Sequence, residues 1–155
     1  TTTMNDRLEK GVEAQAAIFG EHMKEAWKKG HINRWLAANC FGDFYTRIGL
    51  DLPQREMITF CFLMAQGGCE PQLIAHAKGN MKLGNDKDFL VRVVSQCLPY
   101  IGYPRSLNAV SCIQKAAEAN FPIKRRKMEY TTLGNVVGAI DRNPADGVML
   151  LDEKK

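Results

Sequence analysis

One stretch of this chain holds the side chains from which acid–base or thiol chemistry is built: Glu56, Cys69, Gln72 and His76. On a helix, His76 has Leu73 three residues behind it and Ala77 and Asn80 ahead, so it borders a buried stripe. An imidazole there can pass a proton near neutral pH, as a general acid or base must. It can equally be a core histidine satisfied by one hydrogen bond, and spacing alone leaves both readings open. Cys69 stands at or just before a helix start, where the dipole and free N–H groups favour a thiolate. His76 lies about 10 Å further along if both share one straight helix. The thiol therefore reaches the imidazole only if Cys69 sits in the preceding loop and the chain folds back; otherwise it is an inert, half-buried cysteine. Glu56, at the start of the preceding helix, meets His76 if the two helices are antiparallel neighbours across Gly67-Gly68. Its alternative role is to complement its own helix dipole. Arg55 is a candidate ligand for a substrate carboxylate, or one half of a surface ion pair; Gln72 and Tyr100 complete the candidate substrate contacts.

Helices must position these groups. Glycines and prolines cut the sequence into helical lengths, and strand-like alternation is scarce before the last 25 or so residues. A first helix is expected over 5–19, with Leu8, Val12, Ala16 and Phe19 on one stripe and Gly20 as its stop. Two shorter helices are expected over 21–29 and 32–46, then a break at Gly49-Leu50-Asp51-Leu52-Pro53. Pro53 suits the first turn of a helix reaching Gln66. That helix is apolar almost all round from Met57 to Ala65, the mark of burial inside a larger helical assembly. Cys69-Glu70-Pro71 opens another helix to about Leu83, with Gly84 as its stop. Asn85, Asp86 and Asp88 supply caps and first-turn charge for a helix over 87–98. A loop over 99–103 is expected before a last helix from Pro104 to about Ala119. Residues 121–155 carry mixed β-branched residues, glycines and a turn signal at Asn143-Pro144-Ala145-Asp146-Gly147. They read as a C-terminal extension to a domain of residues 1–120, extended or packed on a neighbouring subunit.

Composition narrows the function classes. At 155 residues, 45% apolar and 25% charged, the chain can bury a genuine core. A net charge of +4, with its one dense basic run at Lys124-Arg125-Arg126-Lys127, argues against a nucleic-acid face. The helix after Pro104 has no basic face for DNA. Five cysteines, an odd number without a C-x-x-C pair, suit reduced thiols in a cytoplasmic protein better than a disulfide framework. No apolar run approaches a membrane span. His22, His31 and His76 have no partner at metal-ligand spacing, so no metal and no cofactor is expected.

The block resembles the carboxymuconolactone decarboxylase family and the related alkylhydroperoxidase D-like proteins. The resemblance rests on an ordered set: Gly11-Val12-Glu13 with Ile18-Phe19-Gly20, Phe41-Gly42-Asp43, Arg47-x-Gly49-Leu50, Arg55-Glu56, Leu73-x-x-His76, Gly84, Tyr100-x-Gly102-x-Pro104 and Asn108-Ala109. It implies an all-α, alkylhydroperoxidase D-like fold with a central helical hairpin, assembled as a trimer or hexamer. The decarboxylase pattern is Glu-Leu-x-x-His, whereas this chain has Gln72-Leu73-x-x-His76, and an amide cannot take a proton at neutral pH. The peroxidase pattern is Cys-x-x-Cys-x-x-x-His, which Cys69 and His76 match while Gln72 replaces the second cysteine. The chain thus stands between two patterns and completes neither. Three functions follow from the resemblance. The first is a cofactor-free lyase or proton-transfer enzyme on a small lactone or carboxylic acid, with His76 as acid–base. The second is a thiol-dependent hydroperoxide reductase using Cys69, with Glu56 as acidic helper and a resolving thiol from Cys61, Cys40, a partner subunit or a small external thiol. The third is a non-catalytic oligomeric binding protein.

Overall fold

The computed structural model describes residues 2–120, and among these there are helices and connecting turns but no strand. The expected all-α architecture is therefore what this part of the chain adopts. The extension over 121–155 lies outside the described residues.

Helix α1 (Arg7–Phe19) leads into a nine-residue 3-10 segment, Glu21–Lys29. A short α2 (His31–Trp35) then widens into a π-wound segment, Leu36–Phe44. The single regular helix expected over 32–46 is thus replaced by a helix that changes winding. Runs of π-winding are rare and are found mostly at functional sites. α1 lies directly on this segment because two glycines allow the backbones to touch. A Cβ on Gly11 would overlap the carbonyl of Ala37, and one on Gly42 would overlap that of Arg7. Arg7 forks onto the Asp43 carboxylate at the same crossing.

α3 (Leu52–Gln66) begins at a complete capping box: Gln54 N–H donates to Asp51 Oδ1 at 2.8 Å and Asp51 N–H donates to Gln54 Oε1 at 3.0 Å. Gly67 and Gly68, both at positive φ (70° and 71°), turn the chain back into α4 (Glu70–Lys82). α3 and α4 form the antiparallel hairpin at the centre of the fold. Leu73 and Ala77 of α4 pack with Phe60 and Met64 of α3 against Leu90, Val94, Ala109, Cys112, Ile113 and Ala116. Those last six belong to α5 (Lys87–Asn120), which also resolves the expectation of a loop over 99–103. The helical path continues past Pro99 and breaks only at Gly102 (φ 78°, ψ 168°). Glycine takes this conformation without a Cβ penalty, and Pro104 then falls in the first turn of the resumed helix, where its missing N–H costs nothing. A second, smaller core joins Ile18 of α1 to Phe41 and Tyr45.

Candidate active site

The site lies where the hairpin meets α1 and the π-wound segment. Glu56, in the first turns of α3, is completely buried. One carboxylate oxygen, Oε2, stands 2.7 Å from Nδ1 of His76, and the other, Oε1, accepts from the Tyr45 hydroxyl at 2.8 Å. An ionised carboxylate only accepts hydrogen bonds. Nδ1 of a neutral His76 therefore carries the ring hydrogen, and Nε2 keeps a lone pair. Behind this pair, Tyr45 stands 2.6 Å from Thr59 Oγ1. Since the Tyr45 hydrogen goes to Glu56, Thr59 donates to Tyr45, giving a chain Thr59–Tyr45–Glu56–His76. Burial first, and then the charge of Glu56, hold the Tyr45 phenol well above its ordinary pKa, so it is a fixed neutral donor.

The backbone around the pair is held by amides. Asn80, fully buried, donates to the carbonyls of Glu56 (3.0 Å) and His76 (2.8 Å), and so ties the start of α3 to the middle of α4. Asn85 donates to Asn80 Oδ1 and to the Pro53 carbonyl, both at 2.9 Å. The imidazole itself is clamped by the edge of Phe19, with ring centroids 5.1 Å apart. Gly79 lets α1 approach: a Cβ there would lie 2.7 Å from Ile18 Cγ2 and 3.1 Å from Glu56 Oε2.

His76 opens onto a cleft of about 1060 Å³ whose wall includes Gln15, Phe19, Leu36, Cys40, Phe41 and Thr59. Lys78 and Lys82, one turn apart on α4, line it too, and neither has an ion-pair partner among the described residues. The walls are predominantly apolar with a few convergent polar groups, the usual make-up of a small-molecule site.

The sequence-derived candidates divide in this frame. His76 and Glu56 meet, and Gln72 lines the cleft. Cys69 does not join them. It stands at the N-terminal cap of α4, its thiol donates back to the Leu63 carbonyl at 3.3 Å, and it is no part of the cleft wall. Arg55 is not in the cleft either; its guanidinium donates to the backbone carbonyls of Phe44, Arg47 and Leu50. It pins the turn before α3. Tyr100 is 84% exposed on α5, away from the cleft lining. The cysteine that does line the cleft is Cys40, whose thiol is pushed up by burial and then by Glu56, and so is kept protonated.

Sequence reasoning missed Tyr45, Gln15, Gly79 and Lys78. Tyr45 and Gln15 lie on other elements and carry no spacing signal relative to His76. Gly79 and Lys78 were within reach, since a glycine in mid-helix marks a close approach and residues 78 and 82 are one turn apart. No group of three or more His, Cys, Asp or Glu side chains able to hold a metal ion occurs among the described residues. None of their helices is long and apolar enough to cross a membrane.

Residues 15–115 match the carboxymuconolactone decarboxylase family. No curated protein matches the chain.

Proposed function

Because the chain belongs to the carboxymuconolactone decarboxylase family, we propose that it is a lyase or proton-transfer enzyme acting on a small lactone or carboxylic acid, with His76 as its acid–base group. The observation that carries this reading is the 2.7 Å contact between His76 Nδ1 and a completely buried Glu56. A carboxylate on one ring nitrogen fixes the tautomer and strengthens the other as a base, and it stabilises the imidazolium once a proton has been taken.

In a decarboxylation the carbon–carbon bond to the carboxylate breaks, carbon dioxide leaves, and the bonding pair passes into an enolate conjugated with a neighbouring carbonyl. His76, which first takes a proton at Nε2 from the incoming acid or from solvent, then delivers it to carbon and returns to its neutral form, and Glu56 holds the ring in place through both steps. Lys78 and Lys82, which line the cleft where Arg55 does not, serve as cations for the substrate's remaining acidic group.

The thiol-peroxidase reading has less support. Peroxide reduction needs a thiolate, but Cys69 is turned to a backbone carbonyl outside the cleft and Cys40 is held protonated within it. Turnover of a panel of lactone and β-keto acids by His76→Ala and Cys69→Ser decides between them. The proposal expects loss in the first and retention in the second; the reverse pattern would sink it.

We extend the proposal to a homo-oligomer, trimer or hexamer, in a cytoplasmic setting. Its support is apolar surface left uncovered by one subunit: Phe62 (71% exposed) with Ile58 on α3, Tyr100 before the break in α5, and Tyr103, Leu107 and Val110 after it. Light scattering that returns a monomer mass across micromolar concentrations would contradict it.

A further inference from the structure

The cleft beside His76 is larger and longer than a small lactone acid needs. Its volume of about 1060 Å³ reaches the top of the range in which proteins enclose drug-sized ligands. The hairpin sets its long axis. Glu56 marks the level of His76 on α3, and Leu63 lies seven residues further on, about 10 Å along that helix. Leu63 is level with the start of α4, where its carbonyl accepts from the Cys69 thiol, and it lines the cleft with Pro71 and Ile74. In the other direction, Lys78 and Lys82 stand two and six residues beyond His76, about 3 and 9 Å along α4. The cleft therefore has a cationic end and an apolar end, with the imidazole between them. Its apolar wall can be touched from within: Leu36 is exposed, and Phe19, Met23, Leu63, Ile74 and Met81 are each only half-buried. Proton transfer at His76 uses none of this surface, whereas a ligand that covers it gains by removing it from water.

We infer that the substrate is an amphipathic acid, with its acidic group held by Lys78 and Lys82 and an apolar body that extends past His76 towards Leu63 and Ile74. The inference rests on the acid–base reading of His76 and deepens it by naming the substrate class. Medium-chain alkyl acids are the simplest members of that class. Each methylene that passes from water into the apolar end adds about fourfold to the affinity, until the chain reaches the start of α4. The lysines add a contribution that does not depend on length, since they meet only the acidic group.

The test is isothermal titration of the full chain with straight-chain carboxylates from butanoate to decanoate, each below its micelle-forming concentration. Affinity is expected to rise about fourfold per methylene and then to level off. The double variant Lys78→Met, Lys82→Met should weaken every member by a common factor of about tenfold and leave the increment per methylene unchanged. Ala75→Trp puts a bulky ring on an exposed, cleft-lining position of α4, one residue before His76, and should flatten the series. Melting temperatures close to the native one show that both variants fold. Affinities indifferent to chain length, as when a second copy of the chain closes the apolar end, would overturn the inference. So would an increment that survives Ala75→Trp, because the acids would then be binding on the exposed apolar surface of α3 or α5. Affinities unmoved by loss of the two lysines, or failure of every acid to bind, would overturn it too. Turnover of the lactone and β-keto acid panel in native and His76→Ala protein reads the acid–base proposal separately. Turnover without any length dependence keeps that proposal and removes this inference; length-dependent binding without turnover leaves the amphipathic-acid site and removes the acid–base reading.

Discussion

His76 and Glu56 are 20 residues apart in the chain and 2.7 Å apart in the structure, joined through Nδ1 and Oε2 where α4 crosses the start of α3. The same carboxylate is held from the other side by Tyr45, so three elements converge on one buried charge. A charge without solvent must have its partners in place, and here both oxygens do.

Replacing Glu56 by Gln keeps the shape but removes the acceptor that fixes the His76 tautomer. Turnover on whichever acid the native protein converts is expected to fall about 10²–10⁴-fold with a folded protein remaining. Glu56→Ala goes further. It leaves the Tyr45 hydroxyl and the imidazole without their partner, at a stability cost of about 3 kcal/mol, read by urea denaturation. Unchanged turnover in Glu56→Gln would remove the carboxylate from the mechanism.

Gly79→Ala reverses a familiar rule. In an exposed helix interior, alanine is worth about 1 kcal/mol more than glycine. Here the new methyl would press on Ile18 and on Glu56 Oε2. The expected result is a loss of about 1–3 kcal/mol together with weakened activity; a rise in melting temperature would show that α1 and α4 can part at no cost.

Arg55→Met separates scaffold from substrate binding. Three backbone carbonyls lose their donor, so stability should fall by about 1–2 kcal/mol. KM for an acidic substrate should stay within about twofold, whereas Lys78→Met should raise it about tenfold. The opposite split in steady-state kinetics would return Arg55 to the binding site.

Alkaline pH should weaken the fold. Burial, and then the Cys97 thiol, push Cys61 from 9.0 up to about 12, and Tyr45 and Cys40 are also raised. For each group the unfolded chain loses its proton first, so stability is intact below the unfolded pKa and falls as pH climbs towards the folded one. For Cys61 that window runs from about 9 to about 12. Melting temperatures measured from about pH 8 to about pH 11 should decline in the upper half, and less steeply in Cys61→Ala. A flat profile would mean that these groups ionise alike in both states.

The parts of this site readable in the sequence were those carried by one helix or one short turn. Gly67-Gly68 pointed to the hairpin, the hairpin left Glu56 and His76 able to meet, and Pro53 marked the first turn of α3. What stayed hidden depends on contacts between distant segments. Tyr45, which donates to Glu56, caps the π-wound segment Leu36–Phe44, and a pattern built on 3.6 residues per turn does not register that winding. Cys69 is next to the pair in sequence, yet its thiol finds the Leu63 carbonyl at the end of α3 and turns away from it. Pro99 read as the start of a loop and Pro104 as a helix start, while the single break falls on Gly102, because only there does the backbone take a conformation that glycine alone accepts freely.

Nitrogen NMR of the His76 ring, in protein labelled with ¹⁵N-histidine and at the alkaline end of its titration, tests the centre of the account. The geometry predicts the hydrogen on Nδ1 and the lone pair on Nε2, with Glu56→Gln shifting the ring towards the other tautomer. A native ring protonated on Nε2, or a tautomer indifferent to Glu56, would contradict the claim that Glu56 orients His76 as the base.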